Sequence, residues 1–235
     1  AYARTPARAL EAVQALAASV REHRHAFSGQ LYDIDSAIEQ VSRPGAGRCI
    51  LADTQDNPGG GGAGDTNGIL RALLAADVRQ ACVALWCDPE FAQAAHQCGP
   101  GAWLDRPLGG RSLPGDAPLE GPFEVLALGD GHLVGTGPFY FGCRMDLGPM
   151  ARVRRQGVEI LVSSRKQQAA DQAMFRHLGA EPLDYRVLVL KSSVHFRADF
   201  AALADQILVV RAPGVNIADL HALPYRRLRP GVDIL

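Results

Sequence analysis

Short runs of apolar residues recur along this chain and alternate with segments of helical periodicity. A strand that is buried on both faces of a parallel sheet needs a continuous apolar run, and consecutive parallel strands need a crossover between them. The pattern therefore predicts an α/β fold with a mostly parallel sheet flanked by helices. The predicted strands are residues 49–52, 81–86, 158–162, 186–190 and 207–210, and the predicted helices are residues 66–76, 89–97, 171–178 and 198–206.

The first part of the chain is predicted to be helical. Thr5 and Pro6 are typical of a helix start, and apolar residues then recur at helical spacing, so residues 5–27 are predicted to form one amphipathic helix. A second, short helix is predicted after Asp35. The Pro- and Gly-rich stretch 43–47 would end it and is a candidate domain boundary.

The middle of the chain interrupts the alternation of strands and helices. Residues 102–155 contain short β-like segments between many glycines and prolines, which predicts an antiparallel β insertion in the sheet domain. We therefore divide the chain into a helical segment, residues 1–45, and an α/β domain, residues 46–235.

Composition excludes several classes of protein. The formal net charge of −1 gives no electrostatic footprint for nucleic acid, and no apolar run approaches the roughly 20 residues of a membrane span. We therefore expect neither nucleic acid nor membrane as a partner. The cysteines are odd in number and scattered, which indicates reduced thiols in a cytoplasmic protein; they are Cys49, Cys82, Cys87, Cys98 and Cys143.

Polar loops follow three of the predicted strands, at residues 53–65, 163–168 and 191–197. In open parallel sheets, ligands meet the loops that leave the carboxyl ends of the strands. If the strands are neighbours, these loops share one edge of the sheet. We then expect the side chains of Asp56, Ser164 and His195 to lie around one surface cleft.

The first of these loops allows more than one interpretation. Gly59, Gly61 and Gly64 formally satisfy GxGxxG after a strand and before a helix, with Asp88 at the end of the next strand, as in dinucleotide sites. However, Asp53, Asp56 and Asp65 flank the glycines and would repel a pyrophosphate. The loop could also be a glycine-rich connection without a ligand, capped by Asp65 and Thr66.

The third loop holds Ser193 and His195, two positions apart, so that both could face one side of an extended segment. They could form a nucleophile pair, although no G-x-S-x-G elbow is present, or they could satisfy buried backbone groups. Lys191 could bind an anion or an oxyanion.

Metal ligation by this chain alone is not predicted, because its histidines and cysteines form no zinc set at ligand spacing. Asp53, Asp56 and Asp65 could instead act beside a metal that is held elsewhere.

Several motifs, in order along the chain, resemble those of the MlrC (microcystinase C-like) family. The stretch Ala52–Gly61 followed by Gly64 and Asp65 resembles the family's ADxxDNPGGGxxGD motif. Further similar segments are Phe139–Gly142 with Met145–Pro149, Ser163–Arg165 with Gln168, Lys191–Phe200 and Leu223–Arg227. The resemblance covers residues 46–229, and the helix at residues 5–27 resembles the end of the preceding N-terminal domain.

The resemblance implies a zinc-dependent peptidase or amidohydrolase whose metal ligands lie mainly in that N-terminal domain, which this chain lacks. The chain would then supply one wall of the active cleft, with its own N-terminal domain as partner and a peptide or small-molecule amide as substrate. Zinc is the implied cofactor of the whole enzyme, and a homo-oligomer remains open. The candidate catalytic residues are Asp53, Asp56, Asn57, Asp65 and His195, and the candidate substrate-binding residues are Gly59, Gly60, Gly61, Ser164, Arg165, Lys191 and Ser193.

Two alternatives from other functional classes stay open at this point. The GxGxxG match would suit a nucleotide-binding α/β domain, and the chain alone could be a non-catalytic binding domain.

Overall fold

The computed structural model describes residues 1–27, 29–232 and 234. Contacts within the chain divide it into two compact units. The smaller unit contains residues 1–30 and 219–235, and the larger unit contains residues 31–218.

The helices and strands alternate over most of the larger unit. The helices are α1 (Pro6–Glu22), α2 (Ile34–Ser42), α3 (Gly68–Ala75), α4 (Pro89–Cys98), α5 (Ala173–Arg176) and α6 (Arg197–Phe200). The strands are β1 (Leu31–Tyr32), β2 (Cys49–Asp53), β3 (Ala81–Cys87), β4 (Trp103–Leu104), β5 (Phe123–Gly129), β6 (His132–Val134), β7 (Arg144–Asp146), β8 (Met150–Arg155), β9 (Val158–Ser163), β10 (Val187–Leu190) and β11 (Gln206–Val210).

Nine of these strands form one sheet in the order β1-β11-β2-β10-β3-β9-β8-β5-β4. The first six are parallel to one another, and β8, β5 and β4 continue the sheet by antiparallel pairing. Strands β6 and β7 form a separate antiparallel hairpin. The predicted α/β class, with a mostly parallel sheet and an antiparallel insertion around residues 102–155, is therefore confirmed.

The sheet is buried on both faces, which explains why its strands are continuous apolar runs. In β2, Cys49 and Leu51 face a layer that contains α2, α3 and α4, whereas Ile50 and Ala52 face a second layer. The second layer packs residues 169–180 and α6 against the opposite face. This two-sided cover fixes the register of the central strands and the position of the loops that leave them.

The predicted helices after β9 and β10 are shorter in the structure than in the sequence analysis. Helices α5 and α6 have four residues each, and α6 continues only as a 3-10 turn over Ala201–Leu203. The backbone of Gly179 is left-handed, at φ +66°, and ends the turns that follow α5. Strand β1 was not predicted, because two residues are too few to give a periodic pattern.

Helix α2 begins after an Asp33 cap, two residues before the predicted start, and packs against α3 in the larger unit. The assignment of residues 1–45 to a preceding domain stays a prediction.

In the smaller unit, the N-terminal helix is shorter than predicted. Thr5 caps α1 and Pro6 is its first residue, as expected, but the helix ends at Glu22 and a 3-10 turn follows at Arg24–Phe27. None of its residues is buried. No helix in the described part of the chain is long and apolar enough to cross a membrane.

Arg48 joins the amino ends of three strands. Its guanidinium donates hydrogen bonds to the carbonyl oxygens of Leu183, Tyr185 and Leu203, at 2.8, 3.0 and 3.1 Å. We expect Arg48→Ala to lower the free energy of unfolding by about 2 kcal/mol, because three carbonyl groups lose a charged donor. Urea denaturation measures this change.

Arg79→Ala is the matched control, because Arg79 forms an exposed ion pair with Asp77. We expect it to change stability by less than about 0.5 kcal/mol. Equal stabilities of the two variants would contradict the role assigned to Arg48.

Candidate functional site

The carboxyl ends of the parallel strands form one edge of the sheet, and all three predicted loops leave it. Residues 54–65 follow β2, residues 164–168 follow β9 and residues 191–197 follow β10, and Asp53 and Ser163 are the last residues of their strands. Strand β10 lies between β2 and β3, and β3 pairs with β9. The topology therefore brings the loops to a common edge, as expected for a ligand site in an open α/β sheet.

Lys191 is the buried centre of this edge. Its side chain is 0% exposed, and its ammonium lies 2.9 Å from Asp53 Oδ2 and 2.6 Å from Asp56 Oδ2. It also donates to the carbonyl and hydroxyl oxygens of Thr66, at 3.2 and 3.3 Å. The ring of Trp86 covers it, with Nζ 4.0 Å from the ring centroid. These contacts replace the water that a buried ammonium loses.

The pKa values of the three ionisable groups in this cluster are shifted in different directions. Burial raises the pKa of Asp53 above its ordinary value, although Lys191 opposes the shift. Burial would also raise the pKa of Asp56, but the Lys191 ammonium and the N–H groups of Thr66 and Gly64 outweigh it, so that pKa is lowered. Burial acts to lower the pKa of Lys191, and the two carboxylates raise it overall. Lys191 and Asp56 are therefore both ionised at neutral pH.

Asp56 holds the glycine-rich loop in place. Its Oδ1 accepts from the Gly64 N–H at 2.8 Å, and its Oδ2 accepts from the N–H and hydroxyl of Thr66 at 2.8 and 2.9 Å. Lys191 is a fourth donor and also binds Oδ2, and Asp56 is 1% exposed, so its carboxylate is not accessible to a substrate proton. These contacts also explain why α3 begins at Gly68 instead of near Thr66.

The backbone N–H groups of the glycine-rich loop point into the loop itself. The N–H groups of Gly60 and Gly62 both donate to the carbonyl oxygen of Asn57, and that of Gly61 donates to the carbonyl oxygen of Pro58. A phosphate-binding loop needs these same donors free. The loop therefore lacks the donor array of a dinucleotide site, although its glycine spacing matches one.

Asn57, Thr54 and Ser193 form a second, half-buried network above Lys191. The Ser193 hydroxyl accepts from Thr54 Oγ1 at 2.8 Å and from Asn57 Nδ2 at 3.1 Å. It lies 3.3 Å from the Thr54 carbonyl, to which it donates. Asn57 Oδ1 in turn accepts from the Gly59 N–H at 2.9 Å. This network joins the loop after β2 to the loop after β10, and it directs the Ser193 hydroxyl proton to the Thr54 carbonyl oxygen.

His195 is exposed but held in one orientation. Its ring stacks on Phe139, with centroids 4.0 Å apart, and its Nδ1 lies 3.1 Å from Gln168 Oε1. Because Gln168 Oε1 can only accept, Nδ1 carries the proton in the neutral ring and Nε2 keeps its lone pair. His195 is therefore the residue at this edge best placed to exchange a proton with a ligand.

Tyr140 and Gln168 are site residues that the sequence analysis did not propose. The Gln168 amide nitrogen donates to the Tyr140 hydroxyl at 3.0 Å, and Gln167 donates to the same oxygen. Both residues lie inside motifs that resemble the family, which was the available signal. Their pairing joins the central segment, residues 139–149, to the loop after β9, a contact that spacing along the chain could not reveal.

The remaining predicted site residues have structural partners. Ser164 donates to the Pro149 carbonyl at 2.7 Å, and Arg165 forms an ion pair with Asp146, so both contact the central segment. Asp65 accepts from the Arg111 N–H at 3.0 Å and organises the loop that follows β4. Its catalytic role has no support in this geometry.

The expectation that Asp56 lines a surface cleft is also not met. Asp53 and Asp56 are each 1% exposed, because the loop that they organise covers them. Their geometry supports a role in positioning the loop, and direct contact with a substrate is not supported.

Residues 51–227 match the family described as the MlrC C-terminus. This range is more than half of the chain, and it includes every residue of the networks around Lys191, Ser193 and His195. The chain belongs to the MlrC family. It is 31% identical over 181 residues to microcystinase C from Sphingomonas sp, an alignment that covers 76% of this chain and 34% of that protein.

The fold is also similar to a crystal structure of a provisionally assigned metallopeptidase from Mesorhizobium sp. BNC1. The TM-score is 0.77 and the identity 25%, over 92% of this chain and 44% of that one. The chain thus spans about a third of the length of one relative and less than half of the other. It corresponds to the C-terminal part of an MlrC protein.

The residues of this MlrC domain do not fit a metal centre. Among the described residues, no group of three His, Cys, Asp or Glu side chains could hold a metal ion. Asp53 and Asp56 both bind the Lys191 ammonium, which occupies the position between them where a cation would have to bind. The described residues of this chain therefore supply no metal site of their own.

Removing the buried ammonium should leave two uncompensated carboxylates. We expect Lys191→Met in the MlrC domain to lower the free energy of unfolding by about 3–5 kcal/mol. The double variant Lys191→Met/Asp53→Asn should recover part of this loss, because one buried charge is removed. Chemical denaturation of both variants and of Asp53→Asn completes a double-mutant cycle.

If Lys191→Met does not fold, recovery of folding in the double variant provides the same test. A stability of Lys191→Met within about 1 kcal/mol of the parent protein would contradict the ion cluster described above.

Proposed function

We propose that this chain forms one wall of the active cleft of a zinc-dependent peptidase or amidohydrolase. The zinc is held by a part of the longer MlrC protein that lies outside this chain. The observation that carries the proposal is His195: it is exposed at the ligand edge of the sheet, and its orientation is fixed by Gln168 and Phe139. Around it, the buried polar groups are engaged with one another, which gives a rigid surface for a second wall to complete.

In this proposal His195 exchanges a proton with the substrate at Nε2. Its Nδ1–H donates to Gln168 Oε1, so the ring keeps one tautomer, as a general acid or base requires. Ser193 does not act as a nucleophile in this scheme, because its hydroxyl is engaged with Thr54 and Asn57. Ser193 and Asn57 instead hold the two loops together beneath the substrate.

The glycines at the rim give the substrate room. Gly59, Gly60 and Gly61 are exposed, so an extended chain can pass close to the backbone there. The space that a Cβ would fill is open at Gly61, whereas at Gly59 and Gly60 it is taken by the side chains of Gln168 and Asn216. We therefore propose a peptide or a small-molecule amide as the substrate class. The name of the Sphingomonas relative, microcystinase C, is consistent with that class.

The nucleotide-binding alternative is tested by binding, and the non-catalytic alternative is tested by hydrolysis. A nucleotide-binding domain is disfavoured because the loop N–H groups donate to Asn57, Pro58 and Asp56. Calorimetry with NAD and ATP should show no saturable binding. A non-catalytic binding domain would be favoured if variants at the exposed edge leave hydrolysis by the longer protein unchanged.

His195 provides the direct test of the proposal. In the longer protein, we expect His195→Ala to reduce kcat/KM for hydrolysis of an amide substrate by about 100-fold, the usual contribution of a general acid or base. Steady-state kinetics with the longer protein measure the change. Val194→Ala is the matched control, because Val194 is an exposed neighbour without a polar group. Equal activity of both variants would reject the proposed role.

Metal content tests where the zinc lies. We expect elemental analysis to find about one zinc in each longer protein and far less than one in the 235-residue chain. A stoichiometric, tightly held zinc on the 235-residue chain would contradict the proposed location. Chelation should abolish hydrolysis by the longer protein without changing the thermal unfolding of the isolated chain.

A further inference from the structure

A small cleft opens beside His195, between the glycine-rich loop and the loop after β9. Its volume is about 170 Å³, and it is lined by Pro58, Gly59, Tyr140, Lys166, Gln167 and Gln168. This volume suits the end of a ligand better than a whole ligand, since complete small-molecule sites measure roughly 300–1,000 Å³.

The cleft presents hydrogen-bond donors and one positive charge. Lys166 is the charged residue among those described that line it, and its side chain is exposed. Among the residues that the structure describes, Lys166 has no carboxylate partner, in contrast to Arg165, which is paired with Asp146. The ammonium is therefore available to a ligand.

Tyr140 adds a second donor. Its oxygen already accepts from Gln167 Nε2 and Gln168 Nε2, which uses both of its acceptor positions. The phenol proton then has to be donated, and the structure gives it no acceptor among the described residues. The second N–H of the Gln167 amide is a third donor at the same wall.

The type and number of these donors favour a carboxylate over a phosphate as the ligand. Phosphate sites are built from backbone N–H groups, and those of the neighbouring glycine-rich loop are already bonded within the loop. A singly charged, planar carboxylate needs fewer donors, and one ammonium with a phenol and an amide supplies them.

We propose that this cleft binds a carboxylate of the substrate, with Lys166 and Tyr140 as its specificity-determining residues. Gln167 and Gln168 orient the Tyr140 hydroxyl, and Gln168 also orients His195 through its other amide atom. One amide thus couples carboxylate binding to the group that exchanges the proton. The inference rests on the proposed function only in treating the bound carboxylate as part of a substrate.

Binding to the 235-residue chain tests the proposal without any need for hydrolysis. The probes are acetyl-dialanine, which has a free terminal carboxylate, acetyl-dialanine amide, which has none, and acetyl-glutamate amide, which has only a side-chain carboxylate. We expect one of the two carboxylate probes to bind with a millimolar Kd in an NMR titration, and the amide to bind at least 10-fold more weakly. The stronger carboxylate probe identifies which kind of carboxylate the cleft takes.

Two variants separate charge from structure. Lys166→Met should weaken binding of the carboxylate probe by about 10-fold and leave the amide probe unchanged. Tyr140→Phe should also weaken it and shift the His195 ring resonances, because Gln168 loses its hydroxyl partner. Arg79→Met is the charge-matched control, since Arg79 precedes β3 at the opposite edge of the sheet and pairs with Asp77. It should bind all probes as the parent chain does.

Three outcomes would overturn the inference: no carboxylate probe binds at millimolar concentration, Lys166→Met binds as tightly as the parent, or inorganic phosphate binds more tightly than either carboxylate. Failure of the proposed function is a separate result, because it would show as unchanged hydrolysis by the longer protein carrying His195→Ala.

Discussion

The site depends on one buried ammonium. Lys191 lies beneath the carboxyl edge of the sheet and joins residues at the ends of β10 and β2 through Asp53 and Asp56. Each of these carboxylates lies within 2.9 Å of the ammonium. Without it they would repel each other in a dry interior, and its positive charge offsets that repulsion. Asp56 can then stay ionised and accept hydrogen bonds from the N–H groups of Gly64 and Thr66. The shape of the glycine-rich loop therefore follows from a charge that never reaches the surface.

A loop built in this way has a different function from a glycine-rich phosphate loop. Its N–H groups donate inward, and its glycines are required by close packing: a Cβ on Gly62 would lie 2.7 Å from the Asp56 carbonyl carbon. The exposed part of this loop is the uncharged backbone of Gly59–Gly61. The His195 and Lys166 side chains beside it are exposed, and both belong to other loops.

The sequence predicted the sheet and its ligand edge well, because those depend on local apolar runs and on the rule for parallel strands. It predicted which residues belong to the site but not what they do. Asp53 and Asp56 resemble acidic catalysts along the chain, and only their pairing with Lys191, 138 and 135 positions away, makes them structural. Tyr140 and Gln168 were missed for the same reason, since their meeting depends on how the central segment folds back.

The pairing of Asp53 and Asp56 with Lys191 also limits what a metal could do in this domain. A divalent ion would have to displace a fully buried ammonium from two carboxylates, which leaves a lysine without a partner in the core. The Lys191 ammonium therefore excludes a cation from Asp53 and Asp56. Under the proposed function, the domain contributes His195 as the proton-exchanging group instead. A hydrolytic site that needs both a metal and an oriented histidine can divide them between two walls. In such a site, the precision of the His195 wall depends on Gln168 and Phe139, which fix the orientation of the ring.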